Sequence, residues 1–469
     1  VVDLLIVGVY LTGMLLIGVY VYRKGRVSRS DSFFVADRKG SALLIGGSLL
    51  ATIVGASATV GLAGWGFTRG LSGVWWLLVG SIGLVILSLF WARKVRRFGL
   101  YTLPELVEKQ YGREVGLVAS VLIVVAWVGV IAAQMVAAGK ILGVLFSASP
   151  VLLTVIPAVV FVLYTVLGAQ YCIIRTDFVQ SGILIFGVLV ACLLVLSRVG
   201  WGSGLADSLP SEYFAFPVSA GFDWGDLLSL LIITGAVYVV GPDIYSRLFC
   251  ARDEKVAKRS ALWVAAALVP LAFLVAIIGM GARVLFPEIG SEQAFPAVIQ
   301  DVLPVGVSGL VTAALLAAIM SSADTCLLTT SAILTEDIWK RMAPDAGERE
   351  RLRMSRIGVI VVGVVALLIA LRMGGVISSL LMAYTIFTSG IVVPVLLGFY
   401  RDRLGLNPAG ALAAIIGGGG TALVVKLLGK DDLQLVGLGV CVVALFGVSW
   451  LARRMGYQRR AVEPLREIE

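Results

Sequence analysis

Ser321, Ser322, Asp324 and Thr325 stand inside the run AALLAAIMSSADTCLLTTSAILTEDIW (313–339), whose first half is apolar enough for lipid. At roughly 100° per residue, Ala318, Ser321, Ser322, Asp324 and Thr325 share one broad helical face. A hard cation needs several oxygens, and hydroxyls, carboxylates and exposed carbonyls are the donors that suit it. The competing reading returns each hydroxyl to its own helix or to a neighbour. Asp324 weighs against that reading for the cluster as a whole. A carboxylate at mid-membrane costs about 2.5–3.5 kcal/mol on insertion scales and faces an ion pathway or a partner.

The rest of the chain says what kind of protein carries this face. Its 469 residues are 59% hydrophobic and 14% charged, against about 25% charged in an ordinary soluble chain. This is the composition of an all-α polytopic membrane protein. Histidine is absent, which removes imidazole bases and ligands. Cys172, Cys192, Cys250, Cys326 and Cys441 are scattered through apolar stretches, so they form neither a disulfide framework nor a CxxC site. The GK at Gly139 and Lys140 lacks the first glycine and the hydroxyl of a phosphate-binding loop, and ATP-driven work is not expected. No nucleophile is paired with a base, so no enzyme is expected either.

Apolar stretches long enough for about 30 Å of hydrocarbon fall at 2–22, 41–68, 72–92, 114–145, 149–170, 177–197, 225–247, 260–285, 303–335, 354–372, 376–400, 408–428 and 432–452, designated α1 to α13. With the N-terminus outside, all but seven of the 38 Lys and Arg fall on inner segments; Arg69, Lys140, Arg198, Arg283, Arg372, Lys426 and Lys430 are the exceptions. The net charge of +9 thus reflects a positive-inside bias rather than a nucleic-acid surface. The C-terminal tail, 453–469, is then cytoplasmic, and a bacterial inner membrane is the expected location. The first segment lacks a basic n-region and reads as a retained helix, not a cleaved signal.

Two helices are interrupted. Residues 51–70, ATIVGASATVGLAGWGFTRG, hold five glycines, and each interior glycine costs a helix about 1 kcal/mol relative to alanine in water. This density fits either an unwound middle or very close helix packing. In TGAVYVVGPDIYSR (234–247), Pro242 removes a backbone donor after Gly241. The breaks open two five-helix units, α2–α6 and α7–α11. Paired interruptions at matching places in two halves point to an inverted repeat with its site at the bilayer midplane.

AAIMSSADTCLLTTSAILTEDIW resembles the signature helix of the sodium/solute symporter family, which includes bacterial proline, pantothenate, galactose and sialic-acid symporters. VGASATVGLAGWGFTRGLSG in α2, RTDFVQSGIL in α6 and GPDIYSRLFCARDEKVAKRSAL entering α8 extend the likeness across α2 to α11. The resemblance implies a LeuT-type 5+5 inverted repeat, with one repeat over 41–198 and the other over 225–400. The N-terminal helix 1–22 and the two C-terminal helices of 408–452 are then additions to it.

It further implies a common sodium site from the carbonyls of Ala56 and Thr59 in α2, the carbonyl of Ala318, and the hydroxyls of Ser321 and Ser322 in α9. A second sodium, bound in some members, maps to Asp177, Ser321, Asp324 and Thr325. Asp324 departs from the plain hydroxyl pattern, and could strengthen a cation site or hold a proton. Asp177 also has a local reading, in which Thr176 and Asp177 cap the start of α6 beside Arg175. Solute-facing positions map to Ala58, Val60 and Ala63 in α2 and to Thr234, Tyr238 and Pro242 in α7. Gln134, Tyr384 and Thr388 are further polar candidates.

Neither the acid of proline-type members nor the hydroxyls of sialic-acid-type members occur at Ala58, Val60 and Ala63. That suggests a small or partly apolar solute, or a carboxylate held by backbone donors. Amino acid, carboxylate, vitamin and sugar classes all stay open. The expected function is sodium-coupled symport of a small organic solute by alternating access, by a chain that works as a monomer. The alternatives are a proton-coupled carrier using Asp324 or Asp177, and a membrane sensor that transports little.

Overall fold

A computed structural model describes residues 2–372, 375–430 and 433–455; most of the expected tail, 456–469, lies outside them. The described residues are nearly all helical, and eleven helices are long and apolar enough to cross a membrane. Two of these runs reverse within themselves, which gives the thirteen passes expected. The first runs from Ser57 to Phe90 and turns at Gly70, with φ +62° and ψ −136°. A side chain there would meet Tyr213 O at 2.1 Å, so glycine answers both a backbone and a space requirement. The second, Pro150–Val199, has 50 residues and would be about 75 Å long if straight. It folds back at Ala169, with φ 49° and ψ −168°, and Tyr164 OH on one arm meets Thr176 Oγ1 on the other.

This reversal moves one expected boundary. The turn between α5 and α6 lies at Ala169, and Arg175 and Asp177 sit inside α6. Thr176 and Asp177 therefore do not cap α6: Thr176 Oγ1 bonds Ile173 O at 3.1 Å within the helix, and Asp177 turns to other partners. True caps occur elsewhere. Ser41 accepts from Leu44 N ahead of Ala42–Ile53, and Ser149 from Leu152 N with Pro150 in the first turn. Asp253 and Asn407 do the same for Glu254–Leu285 (α8) and Pro408–Leu427 (α12).

Both interruptions are present. α2 consists of Ala42–Ile53 (α2a) and Leu62–Arg69 (α2b), separated by an irregular step at 54–55 and a wide turn over Ser57–Gly61. α7 reaches Val240, passes through extended backbone at Gly241 (φ −52°, ψ 132°), and restarts as Pro242–Phe249 (α7b). α9, Val307–Ala332, continues unbroken between them. Its apolar window is 94% buried, against 22% for Val2–Arg23 (α1). The polar face of α9 is thus wholly internal, and α1 meets lipid.

Candidate functional site

The step in α2 frees backbone groups that α4 and α9 then satisfy. Ser322 Oγ donates to Thr52 O at 2.6 Å and to Ala318 O at 3.2 Å. Ala56 N donates to Gln134 Oε1 at 2.9 Å, and Thr59 Oγ1 donates to Gly55 O at 2.8 Å. Close approach depends on Gly55, where an added Cβ would stand 2.2 Å from Ser322 Oγ. Ser321 Oγ is fully buried, makes no hydrogen bond of ordinary geometry, and has the Asp177 carboxylate as its nearest candidate partner. A buried hydroxyl left unpaired costs free energy, so this one is poised for a ligand. The expected ligands here, the carbonyls of Ala56, Thr59 and Ala318 and the hydroxyls of Ser321 and Ser322, are all oxygen, which suits a small hard cation.

The other expected ion ligands divide into two sets. Asp177 Oδ2 accepts from Ser48 Oγ at 2.5 Å and from Arg247 Nη2 at 3.0 Å. Arg247 Nη2 also meets Thr325 Oγ1, which donates to Ser321 O at 2.7 Å. Asp324 turns instead toward α5, where Thr165 Oγ1 donates to its Oδ1 at 2.9 Å.

The solute positions also separate. Ala58, Val60 and Ala63 are buried, and a Cβ on Gly279 of α8 would meet Ala63 O at 2.0 Å. That part of α2b is packing surface. Gln134 supports the α2 break, and Thr388 Oγ1 is spent on Ile233 O at 2.8 Å. Tyr238 lays its ring against Gly80 of α3. Thr234 Oγ1 is buried without a partner, and Pro242 starts α7b.

The sequence profile described as "Sodium:solute symporter family" matches residues 33–418. This chain belongs to that family. A sodium/glucose cotransporter of Vibrio parahaemolyticus is 24% identical over 91% of the chain and 85% of its own length. A sodium/mannose cotransporter of Bos taurus is 28% identical over 91% and 80%. A sodium/glucose cotransporter 4 of Danio rerio is 26% identical, and the match spans 61% of its length. Among solved structures, a Na+-coupled sialic acid symporter superposes with a TM-score of 0.82 at 20% identity, covering 96% of this chain and 98% of that one. MhsT in complex with L-phenylalanine superposes with a TM-score of 0.56 at 17% identity, over 89% and 98%. These likenesses establish the LeuT-type fold. The protein is a sodium-coupled symporter of a small solute, and sodium is its coupling ion.

At the α7 break of this symporter lies a second group that the sequence reading passed over. Asp243 Oδ1 is buried without a side-chain partner, and its carboxylate faces the backbone N–H groups of Asp243 and Ile244 at the start of α7b. Tyr238, Tyr384 and Cys326 are near enough to feel its charge. Trp127 Nε1 faces the Cys326 sulfur, and its ring packs on Phe387 at 4.7 Å. Arg247 was counted with the inner-loop charges, yet it is fully buried. The available signal was the spacing of Asp243 and Arg247 by four residues after Pro242, in a stretch still apolar enough to lie inside the membrane.

Proposed function

We propose that this symporter takes up a small neutral polyol of the sugar or cyclitol class, bound between the breaks of α2 and α7. Sodium sits between the α2 step and α9, on the carbonyls of Ala56, Thr59 and Ala318 and the hydroxyls of Ser321 and Ser322. The observation that carries the solute class is the buried Asp243 carboxylate at the α7 break, whose Oδ1 has no side-chain partner and which lies within electrostatic reach of Tyr238 and Tyr384. A carboxylate accepts from hydroxyl groups, and aromatic rings cover the C–H faces of a ring. The same carboxylate repels an acidic solute, which argues against the carboxylate class left open by the sequence. The glucose and mannose relatives support this reading.

Coupling follows if sodium binds one state of the bundle more tightly than the other. Sodium drawn into the α2–α9 seam sets the α2 break, and the solute then closes α7 upon it. The N-terminus is outside, the C-terminus lies in the cytoplasm of a bacterial cell, and one chain is the working unit.

A thermal-shift screen of the purified protein tests the assignment, with glucose, mannose, myo-inositol, phenylalanine, proline and a small carboxylate, each with and without sodium. One of the polyols should raise the melting temperature only when sodium is present. Stabilisation by proline, phenylalanine or the carboxylate alone would overturn the solute class.

A further inference from the structure

Arg247 occupies an unusual place for an arginine. Its side chain is 0% exposed, and that of Asp177 is 1% exposed. The oxygens around its Nη2 come from different helices. Asp177 lies on α6, and Thr325 on α9. Ser48 of α2a donates to the same Asp177 oxygen at 2.5 Å, and Thr52 Oγ1 of α2a stands 3.1 Å from Thr325 Oγ1. One carboxylate and several hydroxyls, gathered from separate helices at one buried point, form the donor set of a small hard cation. Here a positive charge already stands among them, and a guanidinium cannot be discharged.

The guanidinium also fits this place poorly as a permanent strut. A structural arginine presents two nitrogens to a carboxylate in a fork. Arg247 reaches both Asp177 and Thr325 through Nη2, while Nε and Nη1 are buried without partners. Charge, rather than fork geometry, holds it there.

We infer that Arg247 is a tethered cation standing where a second sodium would bind, so that this symporter binds a single sodium, the one between the α2 step and α9. The inference rests on that proposed site. Arg247 is a positioning residue: it neutralises Asp177 and ties α7b to α2a, α6 and α9. Asp324, held by Thr165, takes no part in a second ion site. Gln in place of Arg247 would keep a polar side chain while leaving Asp177 without a cation, and sodium from solution then takes the vacated oxygens.

Equilibrium binding of radioactive sodium to the purified full chain, with no solute added, reads this directly. The native protein should bind one sodium per chain with a Hill coefficient of about one. Arg247→Gln should bind two, and Arg247→Gln combined with Asp177→Asn should return to one. A merely structural ion pair would alter stability without changing these counts. Two sodium ions on the native chain would overturn the inference while leaving the α2–α9 site intact. A folded Arg247→Gln protein that still binds one would also overturn it. If Arg247→Gln fails to fold, the same count on Arg247→Ser takes its place, with two sodium ions expected and one overturning the inference. No saturable binding to the native chain would refute the α2–α9 site itself, and the inference with it.

Discussion

Gly55→Ala should weaken sodium activation severely. The added Cβ would lie 2.2 Å from Ser322 Oγ, 2.8 Å from Ser322 Cβ and 2.9 Å from Gln134 Oε1. Relief to an ordinary contact requires a shift of about 1 Å. Neither neighbour can give freely. Ser322 Oγ is engaged by Thr52 O at 2.6 Å, and Gln134 Oε1 accepts from Ala56 N at 2.9 Å. Rotating Ser322 away also removes a sodium ligand. Overpacking of this kind costs about 1–3 kcal/mol. If that cost falls on the sodium-bound arrangement, half-activation by sodium rises about 5- to 150-fold. Sodium-dependent uptake into proteoliposomes, measured across a sodium titration, gives the number. Gly182→Ala is the matched control, since its Cβ would meet nothing within 4 Å. An unchanged sodium titration in Gly55→Ala would refute the proposed contact between the α2 step and α9.

Ser321→Ala should raise the sodium concentration for half-activation by about tenfold or more, the scale of a hydrogen-bonding group lost to a charge. Its melting temperature should change little, because Ser321 Oγ makes no hydrogen bond of ordinary geometry and only faces the Asp177 carboxylate; a normal titration would remove it from the site. Asp324→Asn keeps an acceptor for Thr165, so sodium-driven uptake should persist with an unchanged pH profile. Loss of uptake, or a new pH dependence, would point to proton coupling through Asp324. Asp243→Asn should weaken polyol binding by about tenfold while equilibrium sodium binding stays normal; calorimetry separates the two. Gly66→Ala would press a methyl to 2.3 Å from Ala276 O, on the backbone of α8. It should destabilise the fold by about 1–3 kcal/mol, read as a lower melting temperature beside an unaffected Gly182→Ala.

The spans were legible because lipid allows little but long apolar helices. The α7 break was legible at Gly241 and Pro242, since proline announces a lost donor. The α2 break was visible only as a glycine-rich interval, and packing against Ser322 and Gln134 narrows it to 54–55. Nothing in the local sequence marked Ala169 as a left-handed turn, so the α5–α6 boundary was set too late and Asp177 was read beside a helix start. Arg247 and Asp243 were obscured for another reason. Only the four residues 248–251 separate them from the charged stretch at 252–259, and only the fold shows that α7b carries them inside. The side on which Asp324 found its partner was equally a tertiary fact, set by where α5 packs.

The central claim is that sodium held between α2 and α9 drives solute uptake. Its most direct test is accumulation of a labelled polyol, the one selected by thermal shift, in proteoliposomes at equal pH on both sides. One sodium moving down a tenfold gradient and about 100 mV supports up to a few hundredfold accumulation. Uptake should appear with the imposed sodium gradient and collapse when that gradient is dissipated. Accumulation driven by a pH gradient in the absence of sodium would contradict it.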